Sequence, residues 1–172
     1  MKKKFISIVI SSFLIAISFV FIVNYCFHHP YDNSKTVVFI EKGASLSQIT
    51  SRLVKDDVLG FPYILKAYLL CTGEWKELKA GEYLIPPRVT PAQLIKILKS
   101  GEVILHSVTV IEGETSHHLT QKLLADSRFS GLCNIPLEGS ILPETYRFPR
   151  GTKRQVMINH MQQAMKKVVL YP

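Results

Sequence analysis

The β-branched run Val37-Val-Phe-Ile40 is followed by a charged, glycine-containing turn and then by Leu46, Ile49 and Leu53, apolar positions at helical spacing. The same order returns downstream, with Val108-Thr-Val-Ile111, then Glu112-Gly113-Glu114, then Leu119 and Leu123. Gly43-Ala-Ser45-Leu-Ser-Gln-Ile49-Thr-Ser-Arg-Leu53 and Gly113-Glu-Thr115-Ser-His-His-Leu119-Thr-Gln-Lys-Leu123 align in register, 113 − 43 = 70 residues apart. In each copy a strand ends, Glu41 or Glu112 begins the turn, glycine supplies permissive backbone angles, and Ser45 or Thr115 caps a helix. The pattern predicts two strand-turn-helix units.

Between them, the periodicity predicts a helix over 62–71 and a turn leading into a short strand over 78–85, closed by Pro86-Pro87. Thr90-Pro91 caps a further helix carrying Leu94, Ile95, Ile97 and Leu98, which Gly101 ends. Residues 36–100 thus form a β-α-α-β-α series, an α+β module. The second unit is predicted to have a strand over 103–111, a helix over 116–125 and a loop holding Asn134, Pro136 and Gly139. Thr152 and Gln155 form a capping box for a last helix over 153–168. Met157, Met161, Ala164 and Val168 share one face of that helix, and the expected cover for this stripe is a segment outside 101–172.

The N-terminus changes the picture. Lys2, Lys3 and Lys4 precede an uncharged run over 5–23, which as a helix is about 28 Å long against a hydrocarbon core of roughly 30 Å. The expectation is a cytoplasmic tip and transmembrane anchor over 1–30, with the main body outside the inner membrane. A cleaved signal peptide is the rival reading, set against it by the length of the apolar run and the lack of a small-x-small site at 24–28. Of the 21 Lys and Arg, three lie in the tip, which leaves 18 − 13 = +5 on the exported part. That excess suits an anionic surface or a solvated exterior, and nucleic acid is not expected outside the membrane. Cys71 and Cys133 leave a disulfide and two ordinary thiols both open. His117 and His118, adjacent on a helix, point in different directions, so no metal site and no cofactor is expected.

Residues 138–146 read E-G-S-I-L-P-E-T-Y. This resembles the E-G-x-L-x-P-x-T-Y signature of the endolytic murein transglycosylases, the YceG-like group, with Glu144 in place of the more frequent aspartate. The I-E-K-G-x-S-L start at 40–46, the L-K-A-G-x-Y turn at 78–83 and the T-P-x-x-L-I-x-x-L helix at 90–98 extend the resemblance over 36–168. It implies a LysM-like β-α-α-β subdomain over 36–100, of a class that binds N-acetylglucosamine polymers, then an incomplete N-terminal part of the transglycosylase domain over 101–172. The implied activity is cleavage of peptidoglycan strands to 1,6-anhydro-N-acetylmuramic acid ends, a lyase reaction in which one protonated glutamate and the sugar's own 6-hydroxyl suffice.

In that family the catalytic glutamate lies in an I-E-K-E-like segment, and no residue of this sequence occupies its position, so no catalytic residue is assigned. The resemblance makes Glu138 and Tyr146 the candidates to line a cleft. For Glu138 the other reading is a hydrogen bond that orders the loop. For Tyr146 it is a half-buried ring with a bonded hydroxyl. The implied partners are glycan strands, the inner membrane and peptidoglycan synthases. An anchored binding or scaffold module that does not cut is the competing function.

Overall fold

Val38 and Ile40 point to the same side of a five-residue strand, as period-two alternation requires, and both are buried. In a computed structural model, which describes residues 12–15, 17–18, 21–22, 24–25, 27–32, 34–60 and 62–170, this strand is β1, Thr36–Ile40. It pairs antiparallel with β2, Gly81–Ile85, so that Val38 lies opposite Tyr83 and Thr36 opposite Ile85. Helices α1, Leu46–Lys55, and α2, Pro62–Thr72, join the strands, and α3, Pro91–Ser100, follows β2. The chain divides into two units, one ending at Glu102 and the other beginning at Val103. Leu53, Leu65, Leu69, Tyr83, Ile85, Leu94 and Leu98 fill the first core.

Local chemistry fixes these boundaries. Ser45 accepts the Gln48 N–H, and Gln48 Oε1 accepts the Ser45 N–H at 2.7 Å, a reciprocal capping box. Thr90 and Gln93 repeat it at the start of α3, with Pro91 in the first turn and Gly101, at φ +75°, ending the helix. The carbonyls at that end are covered by side chains. The Tyr83 hydroxyl donates to Lys79 O at 2.8 Å and to Leu98 O at 3.3 Å, while Lys79 Nζ donates to Ser100 O at 3.1 Å.

The second unit has β3, Leu105–Thr109, antiparallel to β4, Thr145–Pro149, with α4, Ser116–Ala125, between them and α5, Arg154–Leu170, after them. β4 starts at the last two residues of the signature segment and runs beyond it, where the hydrophobic pattern assigns no strand. Its Tyr146 and Phe148 face inward, and Thr145 and Arg147 outward. The last helix also differs from expectation. Thr152 Oγ1 donates back to Pro149 O and Gln155 Oε1 accepts the Asn134 N–H, so these two residues hold loops and form no capping box. Met157 and Met161 are fully buried among Val108, Leu119, Leu123, Phe129 and Tyr146 of the same unit, and Ala164 packs against that cluster. The methionine stripe is this unit's own core, and only its end at Val168 is exposed.

The expected membrane anchor is corrected. Described residues between 12 and 28 are helical, but no helix among the described residues is long and apolar enough to cross a membrane. Phe27 instead buries its ring against Tyr68, 4.4 Å between centroids, and the chain continues to Tyr31, whose hydroxyl donates to Asp57 at 3.0 Å. Apolar surface at this end of the segment is used for protein packing. Residues 1–11 and several within the expected span lie outside the described residues. The α+β class stands, with no membrane-spanning helix among the described residues.

Candidate functional site

The 138–143 segment and the turn before α4 face each other across an open groove of about 260 Å³ in the second unit. Val110, Ile111, Glu114, Ser116, Glu138 and Ile141 line it. Gly113, at φ +80°, turns the chain from β3 toward α4, and Thr115 caps the helix by accepting the His118 N–H. The geometry of this corner follows from the strand-turn-helix pattern.

Glu138 reaches the start of α4, where both of its oxygens accept the Ser116 N–H, at 3.1 and 3.0 Å. A carboxylate there satisfies an N–H that has no partner within the helix and meets the positive end of the helix dipole. Ser116 Oγ adds a bond to Leu137 O at 3.3 Å. Two more contacts hold the segment from its far side: Ser140 Oγ donates to Leu137 O, and Gln162 Nε2 of α5 donates to Ser140 Oγ. Thus Glu138 lines the groove and also fastens its wall to α4.

Glu114 is the second groove carboxylate. Its side chain is only 5% exposed, its Oε2 accepts the Ile111 N–H at 3.1 Å, and its Oε1 lies 3.6 Å from His118 Nε2 and 3.7 Å from Lys122 Nζ. Lys122 also donates to Thr109 O, which ties α4 to the end of β3. Nothing in the spacing of Glu112-Gly113-Glu114 distinguished this residue from a helix-start charge. The nearest signal was Lys122, eight residues later on the adjoining face.

Tyr146 is placed differently. It is 5% exposed on the inward side of β4, its hydroxyl donates to Leu142 O at 2.9 Å, and its ring stands beside those of Phe148 and His160. Burial, and secondarily the charge of Glu144, push its phenol above the usual tyrosine value. The residue anchors the end of the signature segment from below. Glu144 is exposed. Cys71 and Cys133 are free thiols, and burial pushes the Cys133 thiol up.

Residues 38–171 match the YceG-like family. The chain belongs to that family. The match takes in both units and the whole signature, so the groove is built from family residues and is not peripheral to them. A crystal structure of a protein from Listeria monocytogenes described as yceG-like is 21% identical, with a TM-score of 0.41; the likeness covers 79% of this chain and 56% of that one. The chain therefore spans little more than half the length of that relative. No curated protein matches the sequence.

Proposed function

We propose that this chain is the glycan-holding part of a peptidoglycan lytic transglycosylase, acting outside the cytoplasm where that polymer lies. The observation that carries the reading is the groove, whose walls are the family's signature segment and the turn before α4. In this reading a glycan strand lies along the groove, and Glu138 holds the wall and presents its outer edge to sugar hydroxyls. In the same reading the first unit, with its β-α-α-β order, contacts the same polymer.

Strand cleavage needs a carboxylic acid that protonates the glycosidic oxygen and a 6-hydroxyl that attacks to close the 1,6-anhydro ring. Both groove carboxylates are occupied as acceptors of backbone N–H groups, whereas a proton donor needs a free O–H directed at substrate. No residue here is assigned that role. The same observation favours a second reading, a binding module that accompanies peptidoglycan synthases without cutting. Incubation of the protein with purified sacculi tests both. Retention in the sacculus pellet with no 1,6-anhydro ends by mass spectrometry supports the binding module alone, new anhydro ends support the lyase, and loss from the pellet sinks both.

A further inference from the structure

The repeat at an offset of 70 residues extends, at a second offset, through the remaining halves of the two units. Val38 lies opposite Tyr83 and Val108 opposite Tyr146, and each tyrosine hydroxyl donates to the carbonyl four residues back, Lys79 or Leu142. From those tyrosines onward the offset is 146 − 83 = 63 residues, and Tyr83-Leu-Ile-Pro86 matches Tyr146-Arg-Phe-Pro149. Leu94, Ile95 and Leu98 of α3 then correspond to Met157, Ile158 and Met161 of α5, all buried. The two units are copies of one fold, so each shows what the other has added. The difference lies over the closing helix. In the second unit, Gln155 and Gln162 of α5 hold the loop that contains the signature: Gln155 Oε1 accepts the Asn134 N–H at 2.9 Å, and Gln162 Nε2 donates to Ser140 Oγ at 3.2 Å. Their counterparts in α3 are Ala92 and Lys99, which with Ile95 line a hollow of about 300 Å³. Lys99 pairs there with Glu74, and Phe27 and Tyr68 complete the lining. Phe27 is only 8% exposed and comes from the last turn of the helix that precedes the unit. The first unit thus draws part of its helix cover from the N-terminal segment.

Four residues later the segment is held again. The Tyr31 N–H donates to Val89 O at 3.1 Å, just before α3, and its hydroxyl donates to Asp57 at 3.0 Å, just after α1. Asp57 sits in the left-handed region at φ +55°, a conformation that aspartate tolerates better than most side chains. Gly60, three residues on, is bare where the Tyr31 ring lies, and a Cβ there would overlap the ring. The connection between α1 and α2 is therefore shaped around this tyrosine. Little chain separates the two anchors. The helix runs to His28, and the His29 N–H still donates to Tyr25 O at 2.8 Å. Pro30 then stops it, because proline fixes its own φ and disfavours a helical residue before it. Only His29 and Pro30 lie between the last helical residue and Tyr31, so the junction lacks both the length and the glycine of a free linker.

We propose that residues 27–31 are a clamp that makes the end of the N-terminal helix part of the first unit, so that helix and unit turn as one body and the helix leaves in a set direction. Phe27 is the apolar anchor and Tyr31 the polar one, and the clamp holds whatever the signature groove binds. The test is amide relaxation, residual dipolar coupling and hydrogen exchange by NMR on the isotope-labelled full chain. Order parameters at Phe27, His28, His29 and Tyr31 are expected near ~0.85, as in rigid backbone, and values below about 0.6 overturn the clamp. Couplings of Asn24, Tyr25, Phe27 and His28 should fit the same alignment tensor as those of α1, α2 and α3; a separate tensor for the helix overturns the one-body claim. Gly60→Ala sets a methyl group against the Tyr31 ring and is expected to speed exchange of the Tyr31 amide about tenfold, with the amides of α1 and α3 unchanged. Unaltered exchange at Tyr31 refutes the fit of ring to glycine. If Gly60→Ala unfolds the unit, Tyr31→Ala, which leaves the α1–α2 connection as it is, takes its place: order parameters at 28–31 should fall below about 0.6, and their retention near ~0.85 refutes the polar anchor.

Discussion

The buried Tyr83 hydroxyl allows the two cores to be read separately. In Tyr83→Phe the ring packing survives and only the oxygen is lost. That oxygen serves Lys79 O at 2.8 Å and Leu98 O at 3.3 Å, but Leu98 O also accepts the Lys79 N–H at 3.0 Å. The net loss is one hydrogen bond plus part of the cost of leaving Lys79 O unsatisfied at a side chain with no exposure, about 1–2 kcal/mol. For a unit of this size, with a urea dependence of about 1 kcal/mol per molar, the midpoint should fall by about 1–2 M. The chain has a single tryptophan, Trp75, and it lies in the first unit, so fluorescence reports that unit and far-UV dichroism reports both. Tyr83→Phe should move the fluorescence midpoint, and Tyr146→Phe should move a dichroism component while leaving fluorescence where it was. A fluorescence midpoint unchanged in Tyr83→Phe would refute the hydrogen-bond argument, and equal movement of fluorescence by both variants would refute separate cores.

Other outcomes follow from particular contacts. Met157→Ala should cost about 2–5 kcal/mol and abolish the second unit's dispersed NMR signals, because that methionine is fully buried within its own unit; a loss below about 1 kcal/mol would mean the α5 face awaits an outside cover. Glu138→Gln should cost about 1 kcal/mol and speed hydrogen exchange at the Ser116 amide several-fold, since a neutral carboxamide replaces a carboxylate at a helix start. The Arg128 guanidinium, bonded to Asp126 at 2.6 and 2.9 Å, holds that carboxyl below its usual value despite the opposing effect of burial. A lowered carboxyl stabilises the fold above its ordinary titration near pH ~4 and ceases to do so as pH falls through the lowered value. Asp126→Asn should therefore be less stable than the parent at pH 7 in thermal melts, with the gap closing in acid.

Much of this architecture is legible in the residues. Ser45, Thr90 and Thr115 announce their helices because a capping hydroxyl is a local device that needs only its own next three residues. The repeat at 43–53 and 113–123 likewise depends on short-range turn chemistry. β4 is hidden because Thr145–Pro149 offers only two inward residues between prolines, and its strand character comes from pairing with β3, a partner about forty residues earlier. Thr152 and Gln155 have the spacing of a cap but are drawn off by Pro149 and Asn134, competitors that only the folded chain supplies. The second half of the duplication was present in Tyr-x-Ile/Phe-Pro, yet a change of offset from 70 to 63 breaks any search at one fixed period. In the groove, the signature located Glu138, whereas Glu114 acquires its setting from Ile111, His118 and Lys122 after folding.

The tyrosine that grips the carbonyl four residues behind it has a consequence for engineering. In both units the closing strand is pinned near its start by its own tyrosine hydroxyl, which needs only the four residues before it. One unit inserts a helix and a helical turn upstream of that pin, and the other an irregular loop, yet each strand pairs with the same partner position. The connections from Asp56 to Lys79 and from Ser127 to Leu142 can thus differ in length while the strand register is kept, provided that Leu65 and Leu69 of the first and Phe129 and Glu138 of the second stay in place.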